Sequence, residues 1–466
     1  MHERREHGHG HGSSASLEDQ VTGHAAGKTT LTQGIAPAEP GTETPGDPVA
    51  ALQAKVQTAA LAGHARHALQ LLATVSRPVQ AQIAAAIGPE ARKALARNLP
   101  TSVGDSPTTN ASSEIVFEAT PDGELDTLEL LFEARFRLKI GDHPKAKHGR
   151  EFDALGLRRM WTVLKALPPG HVAHDWAVAK LDRYHDTQDH DPDHAHGLFD
   201  GHNGKAGEID ISYEDSIITD GGTTDHDKKG DPLHGVNRFD EVARHEVGHA
   251  VDRELGWVSF STLCLTPEAG EWQEYWDPPT YQIAAEQMVT GSNGPIHRLP
   301  PTQRTQVIDA MVQSMQHSDT IHFRNAIDKL DGFGHLKGDP VYHVMTQGLA
   351  SHNPWLSTRA IAGRHYHQGY KGTGKGKSGA DWVSYSEKAY ANHRVSEYQF
   401  RAIQEWFAEA YAAFYTPVAH GQPKGAKLKG KLPETHAWFV HHVDNKHAVE
   451  KESKAARKHD HAPRKP

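Results

Sequence analysis

A chain of 466 residues is long enough for roughly two or three domains and a sizeable core. Its formal net charge of -9 with histidine neutral excludes a general basic footprint for nucleic acid, and its single cysteine, Cys264, excludes an intrachain disulfide framework. No apolar run is long enough to span a bilayer, and the charged first residues lack the apolar stretch of a secretory signal peptide.

Residues 1–46 are poor in large apolar side chains and rich in His, Gly, Ser, Thr and Pro, which predicts a disordered tail that includes His7, His9 and His11. Asp47-Pro48 reads as a helix cap followed by proline at the first helical position. The Ala-, Leu- and Gln-rich sequence that follows predicts a helical hairpin over 47–99, broken near Arg77-Pro78, as an N-terminal accessory region. A Ser/Thr/Pro/Asn-rich linker is expected over 100–113, and one larger domain over 114–445. Within it, Leu155, Leu157, Met160, Trp161, Val163, Leu164 and Leu167 mark a helix stopped by Pro168-Pro169-Gly170. His185, His190, His194, His196 and His202 lie among aspartates between Tyr184 and Asn203. No pair of them sits in a recognisable ligand frame, so a mobile loop is the favoured reading over a second metal site. Gly207–Tyr213 alternates apolar and polar residues through Ile209 and Ile211, as a half-buried strand does.

The next segment carries His245-Glu246-Val-Gly-His249-Ala-Val-Asp252. Phe239, Val242, Ala243, Val247, Ala250, Val251 and Leu255 recur at helical spacing, so a helix is expected from about Asn237 to Leu255. Residues four apart on a helix share a face, so His245 and His249 are placed to hold one metal ion. Glu246 then stands beside that ion, where it can take a proton from water. With 36 histidines in the chain, H-E-x-x-H alone is weak. The rival from composition is a non-catalytic, His-rich metal-binding protein. Catalytic zinc usually takes a third protein ligand. A metzincin-type third histidine is excluded, because Asp252 and Leu255 stand at the positions where that pattern needs Gly and His.

A glutamate on a later helix is the remaining common solution. Glu286, in Tyr281–Met288, is one candidate. The better one lies in Tyr398–Phe414, where Phe400, Ile403, Phe407, Ala410, Tyr411 and Phe414 form an apolar stripe. Glu405 and Glu409 sit one turn apart on another face, embedded among aromatic residues and alanines. One of them can ligate while the other accepts a hydrogen bond from a ligating histidine. The tail 446–466 is basic and expected to be disordered.

H-E-V-G-H-A-V-D followed by E-W-F-A-E-A-Y resembles the catalytic domain of the anthrax lethal factor family of zinc metallopeptidases. The resemblance covers roughly residues 150–445, and its specific part is about 25 of them. It implies a mostly helical α+β, zincin-like (gluzincin) domain: a small sheet, the motif helix and a Glu-bearing helix. It implies one catalytic Zn2+ held by His245, His249 and Glu405, with Glu246 as general base and Glu409 as the second glutamate. Tyr398, seven residues before Glu405, would donate to the oxyanion. Leu432–Val443 would be the closing helix.

The family places far fewer residues than these 155 between His249 and Glu405, so about 257–397 is expected to be an insertion. A protein or peptide substrate would bind as an added strand along an edge strand. The strand containing Ile209 and Ile211 is expected to be that edge. By the same analogy, the chain is a secreted or injected toxin or effector that engages a delivery apparatus or carrier through its N-terminal region. It would otherwise be cytoplasmic.

Overall fold

The structure, a computed structural model, describes residues 47–99, 107–142, 152–172, 178–184, 197–200, 207–212, 230–255, 263–330, 334–350, 358–369 and 382–444. The His185–His202 cluster, both terminal tails and Tyr213 lie outside them.

The fold is α+β and mostly helical. The hairpin expected over 47–99 is instead four helices: α1 (Pro48–Leu61), α2 (Ala65–Leu72), α3 (Arg77–Ala86) and α4 (Pro89–Arg97). Gly63 takes φ +78°, which only glycine adopts without strain, and so turns the chain after α1. Gly88-Pro89 separates α3 from α4, with proline at the first helical position. The stretch expected as a linker to residue 113 also differs. Helix α5 (Pro107–Ala119) starts inside it, and Ser112 and Ser113 are buried.

These helices share one core with α5, α6 (Leu125–Phe136) and α7 (Ala154–Lys165). Val56, Leu69, Leu72, Ile83 and Leu95 join the cluster that contains Val116, Leu128, Phe132 and Trp161. Trp161 stacks on Phe117 with ring centroids 4.0 Å apart. Buried Arg92 donates to the carbonyls of Ala84, Ala85 and Ile87, which the end of α3 leaves without helical partners, and pairs with Glu124. The accessory region is therefore continuous with the body of the protein.

A four-stranded sheet combines β1 (Lys139–Asp142), which precedes α7, with β2 (Val178–Tyr184), β3 (Gly197–Asp200) and β4 (Gly207–Ser212), which follow the short α8 (Pro169–Val172). Its order is β1-β2-β4-β3, parallel except for the antiparallel β3. This corrects one expectation. β4 has neighbours on both sides, and Ile209 and Ile211 are buried in the main core, so this strand offers no free edge. Helix α9 (Arg238–Leu255) packs on β3 and β4.

The segment after α9 builds a second apolar cluster. It contains β5 (Gln273–Tyr275), α10 (Pro278–Gly291), α11 (Pro301–His317), α12 (Ile321–Leu330), α13 (Pro340–Ala350), β6 (Arg364–Gln368) and β7 (Trp382–Ser386). The three strands form an antiparallel sheet in the order β5-β7-β6. Tyr281, Met288, Met311, Phe323, Val344, Tyr366 and Trp382 fill that cluster. The chain returns to the main core through α14 (Glu387–Asn392), a 3-10 turn (Tyr398–Phe400) and α15 (Ile403–Tyr415). It closes with α16 (Ala426–Lys431) and α17 (Pro433–Trp438), which runs into a π turn (Phe439–Val443). Glu268 accepts from the backbone N–H groups of Glu434 and Thr435, placing a negative charge on the first turn of α17.

Candidate metal centre

Helices α9 and α15 pack more extensively than any other helix pair among the described residues. Gly248 makes this approach possible. A Cβ there would lie 3.0 Å from the Cα of Ala408 and 3.1 Å from the Cβ of Tyr411. The close packing brings acids of one helix to the imidazoles of the other.

Nε2 of His245 lies 3.1 Å from Oε2 of Glu405, and Nε2 of His249 lies 3.2 Å from the same oxygen. On its other side, Nδ1 of His245 is 2.7 Å from Oε1 of Glu409, a contact better in length than in alignment. His245, Glu405 and Glu409 are buried, and His249 is half-buried. Ligand atoms of His245, His249 and Glu405 fall within 4.8 Å of one another, so this buried group could hold a metal ion.

The protonation of His245 tests the fit. Carboxylate oxygens face both of its ring nitrogens. A neutral imidazole has one N–H and one lone pair, so it cannot satisfy two carboxylates. Without a cation, the ring must carry its own charge. Burial opposes that charge, but the Glu405 and Glu409 carboxylates overcome burial and raise the pKa well above the usual histidine value. A metal between the Nε2 atoms and Glu405 resolves the conflict with a neutral ring that donates Nδ1–H to Glu409. The N–O spacings are close to the edge of a tetrahedron with ligand bonds of about 2.0–2.1 Å, about 3.3 Å. The residues fit a divalent ion.

Burial also works to raise the Glu405 carboxyl, yet the charge of His249 and the hydrogen bonds of the two imidazoles hold it well below the carboxylate range. Glu246 is buried next to His245, and burial, joined by the charges of Glu405 and Glu409, raises its pKa despite the two histidines. The ring of Tyr398 lies 5.8 Å from that of His245. Solvent reaches 37 % of this residue, although protein atoms crowd its hydroxyl. Burial first, then the Glu405 charge, raises its pKa well above the usual tyrosine value.

The structure thus gathers His245, Glu246, His249, Tyr398, Glu405 and Glu409 in one place. It does not bring in Glu286, which is exposed on α10 and bonded to Gln282, nor Ile209 and Ile211.

Residues that hold the Tyr398 turn were not anticipated. Arg401 donates to the Tyr398 hydroxyl at 2.6 Å. Buried His367 of β6 contacts the Phe400 carbonyl through Nε2 at 2.9 Å. Buried Arg394 pairs with Asp231 and Glu397 just before the turn. Arg401 and Arg394 had a local signal, their three-residue spacing from Tyr398 and Glu397. The contacts of His367 with Phe400 and of Arg394 with Asp231 join residues distant in sequence.

No protein-family model, curated protein or solved structure matches the chain. Among the described residues, no helix is long and apolar enough to cross a membrane.

Proposed function

We propose that this chain is a zinc-dependent endopeptidase with a zincin-like catalytic domain akin to that of the lethal factor family. The observation that supports this most strongly is the convergence of His245, His249 and Glu405 on one point with Glu246 beside them. His2Glu with an open fourth position is the donor set of hydrolytic zinc. Zinc bound there acidifies water and polarises a carbonyl.

The protein's own groups do the rest. Glu246 accepts the proton of the attacking water and passes it to the leaving amine, and its raised pKa suits a group that must take and then release a proton. Glu409 holds the Nδ1 proton of His245 and so fixes its tautomer. Tyr398 donates to the oxyanion of the tetrahedral intermediate. The substrate is a protein or peptide. It would pair along β3, which has no partner on its outer side among the described residues. The role of a delivered toxin or effector rests on the resemblance alone.

The test is cleavage of a denatured protein substrate by wild type and Glu246→Gln, with bound zinc measured. One tightly held zinc in each, and turnover in wild type alone, is expected. Equal cleavage by the two proteins, or several weakly held ions and no cleavage, would overturn the reading. The second of these outcomes would favour the His-rich metal-binding alternative.

A further inference from the structure

The contact between Arg401 and Tyr398 fixes the direction of a hydrogen bond. A guanidinium has N–H donors and no acceptor, so in the 2.6 Å contact Arg401 Nη1 donates and the Tyr398 hydroxyl oxygen accepts. The phenol's own proton is left to point elsewhere. The same guanidinium lies 5.4 Å from the centre of the Tyr398 ring. The backbone N–H of Arg401 donates to the Tyr398 carbonyl at 3.0 Å, which closes the turn that carries both side chains.

That turn is itself anchored. The Phe400 ring packs on Tyr385 and Tyr390 with centroids 4.6 and 5.0 Å away, and His367 contacts its carbonyl. The backbone of Arg401 is therefore anchored independently of any substrate. It is also the cation that offsets the carboxylates around the phenol.

We propose that Arg401 is a positioning residue for peptide hydrolysis. By occupying the acceptor side of the Tyr398 oxygen, it aims the phenol proton at the oxyanion. This rests on the peptidase reading above. A substrate-binding role for Arg401, such as capture of an acidic side chain, is the competing account.

A double-mutant cycle separates the two. Tyr398→Phe removes the donor and is expected to lower kcat about 100-fold. Arg401→Met is expected to lower kcat about 10-fold or more with KM within about twofold, and Arg401→Lys to recover part of the loss. In the Tyr398→Phe background, Arg401→Met should add less than about twofold. A full effect persisting in that background, or a loss expressed in KM, overturns the proposal.

The second readout needs no turnover. In zinc-free protein with 13C-labelled tyrosine, the Tyr398 Cζ resonance is identified by its disappearance in Tyr398→Phe. It should move in Arg401→Met, largely return in Arg401→Lys, and do so at an unchanged melting temperature. A wild type that cleaves yet shows no such movement overturns the positioning role on its own. Movement in a wild type that cleaves nothing overturns the premise instead.

Discussion

Replacing Gly248 by alanine sets two effects of known size against each other. In an unhindered helix interior, glycine to alanine adds about 1 kcal/mol of stability. At Gly248 the added methyl would sit 3.0 Å from the Ala408 Cα and 3.1 and 3.2 Å from the Cβ and Cγ of Tyr411. Ordinary carbon contacts are about 3.5–4.0 Å, so α15 must retreat by several tenths of an ångström. Ala408 is backbone at the contact and cannot rotate away. Overpacking of this kind costs about 1–3 kcal/mol. The sum is a protein that ranges from unchanged to about 2 kcal/mol less stable. The functional effect should exceed that, because Ala408 lies between Glu405 and Glu409 and its retreat draws the two acids away from His245 and His249. Zinc affinity is expected to fall about 10-fold, the lower end of what disturbing a ligand's supporting contacts costs. Urea melts of metal-free protein give the first quantity, and zinc competition with a chromophoric chelator gives the second. A Gly248→Ala protein that gains the full helix-propensity stability and binds zinc like wild type would refute the close approach of α9 and α15.

Glu409→Gln should leave the fold intact and weaken zinc about 10–100-fold if, as proposed, Glu409 holds the tautomer of His245 from 2.7 Å without ligating; affinity unchanged by calorimetry would remove that role. Two buried histidines outside the metal centre set a pH dependence of stability. Burial lowers His171 to about 3 and His367 to about 4, whereas the unfolded chain protonates these rings near 6.5. Between those values the unfolded state binds more protons. Stability is therefore complete above pH 6.5 and falls as pH drops, by up to about 1.4 kcal/mol per unit for each ring. Urea midpoints from pH 7 to 5 should show a shallower slope in His171→Gln than in wild type, and equal slopes would refute the assignment.

The elements readable from sequence are those whose residues do local work. Phe239, Val247 and Val251 recur at helical spacing because α9 lies between sheet and α15, and all three are buried. Glu405 and Glu409 stood out because acids among aromatics and alanines suit a buried face better than a solvated one, and both are buried. The strand at Ile209 and Ile211 was misplaced for a physical reason. Alternation reports which face of a strand is covered, but says nothing about which backbone edges are paired. β4 buries Ile209 and Ile211 yet is paired on both backbone edges. The four short N-terminal helices were merged because their alanines give little periodic contrast, although Gly63 and Gly88 marked the breaks. His367 and Asp231 had no local signal, since their partners at Phe400 and Arg394 lie 33 and 163 residues away.

The long segment between His249 and Glu405 does more than separate two candidate ligands. The imidazoles and the acids meet where α9 packs on α15, by way of Gly248 and Ala408, and both helices contribute buried apolar residues to the main core rather than to the second cluster. Tyr398 is different. Its turn leans on Tyr385 of β7 and on His367 of β6, strands whose Trp382 and Tyr366 belong to the second cluster. The hydroxyl is further set by Arg401 at the end of the same turn. On the proposed function, metal binding and transition-state stabilisation would thus depend on different parts of the fold. A core of small residues between two helices fixes the first. The sheet β5-β7-β6 would fix the second, so changes within it would reach Tyr398, the proposed oxyanion donor, while leaving His245, His249 and Glu405 where they are.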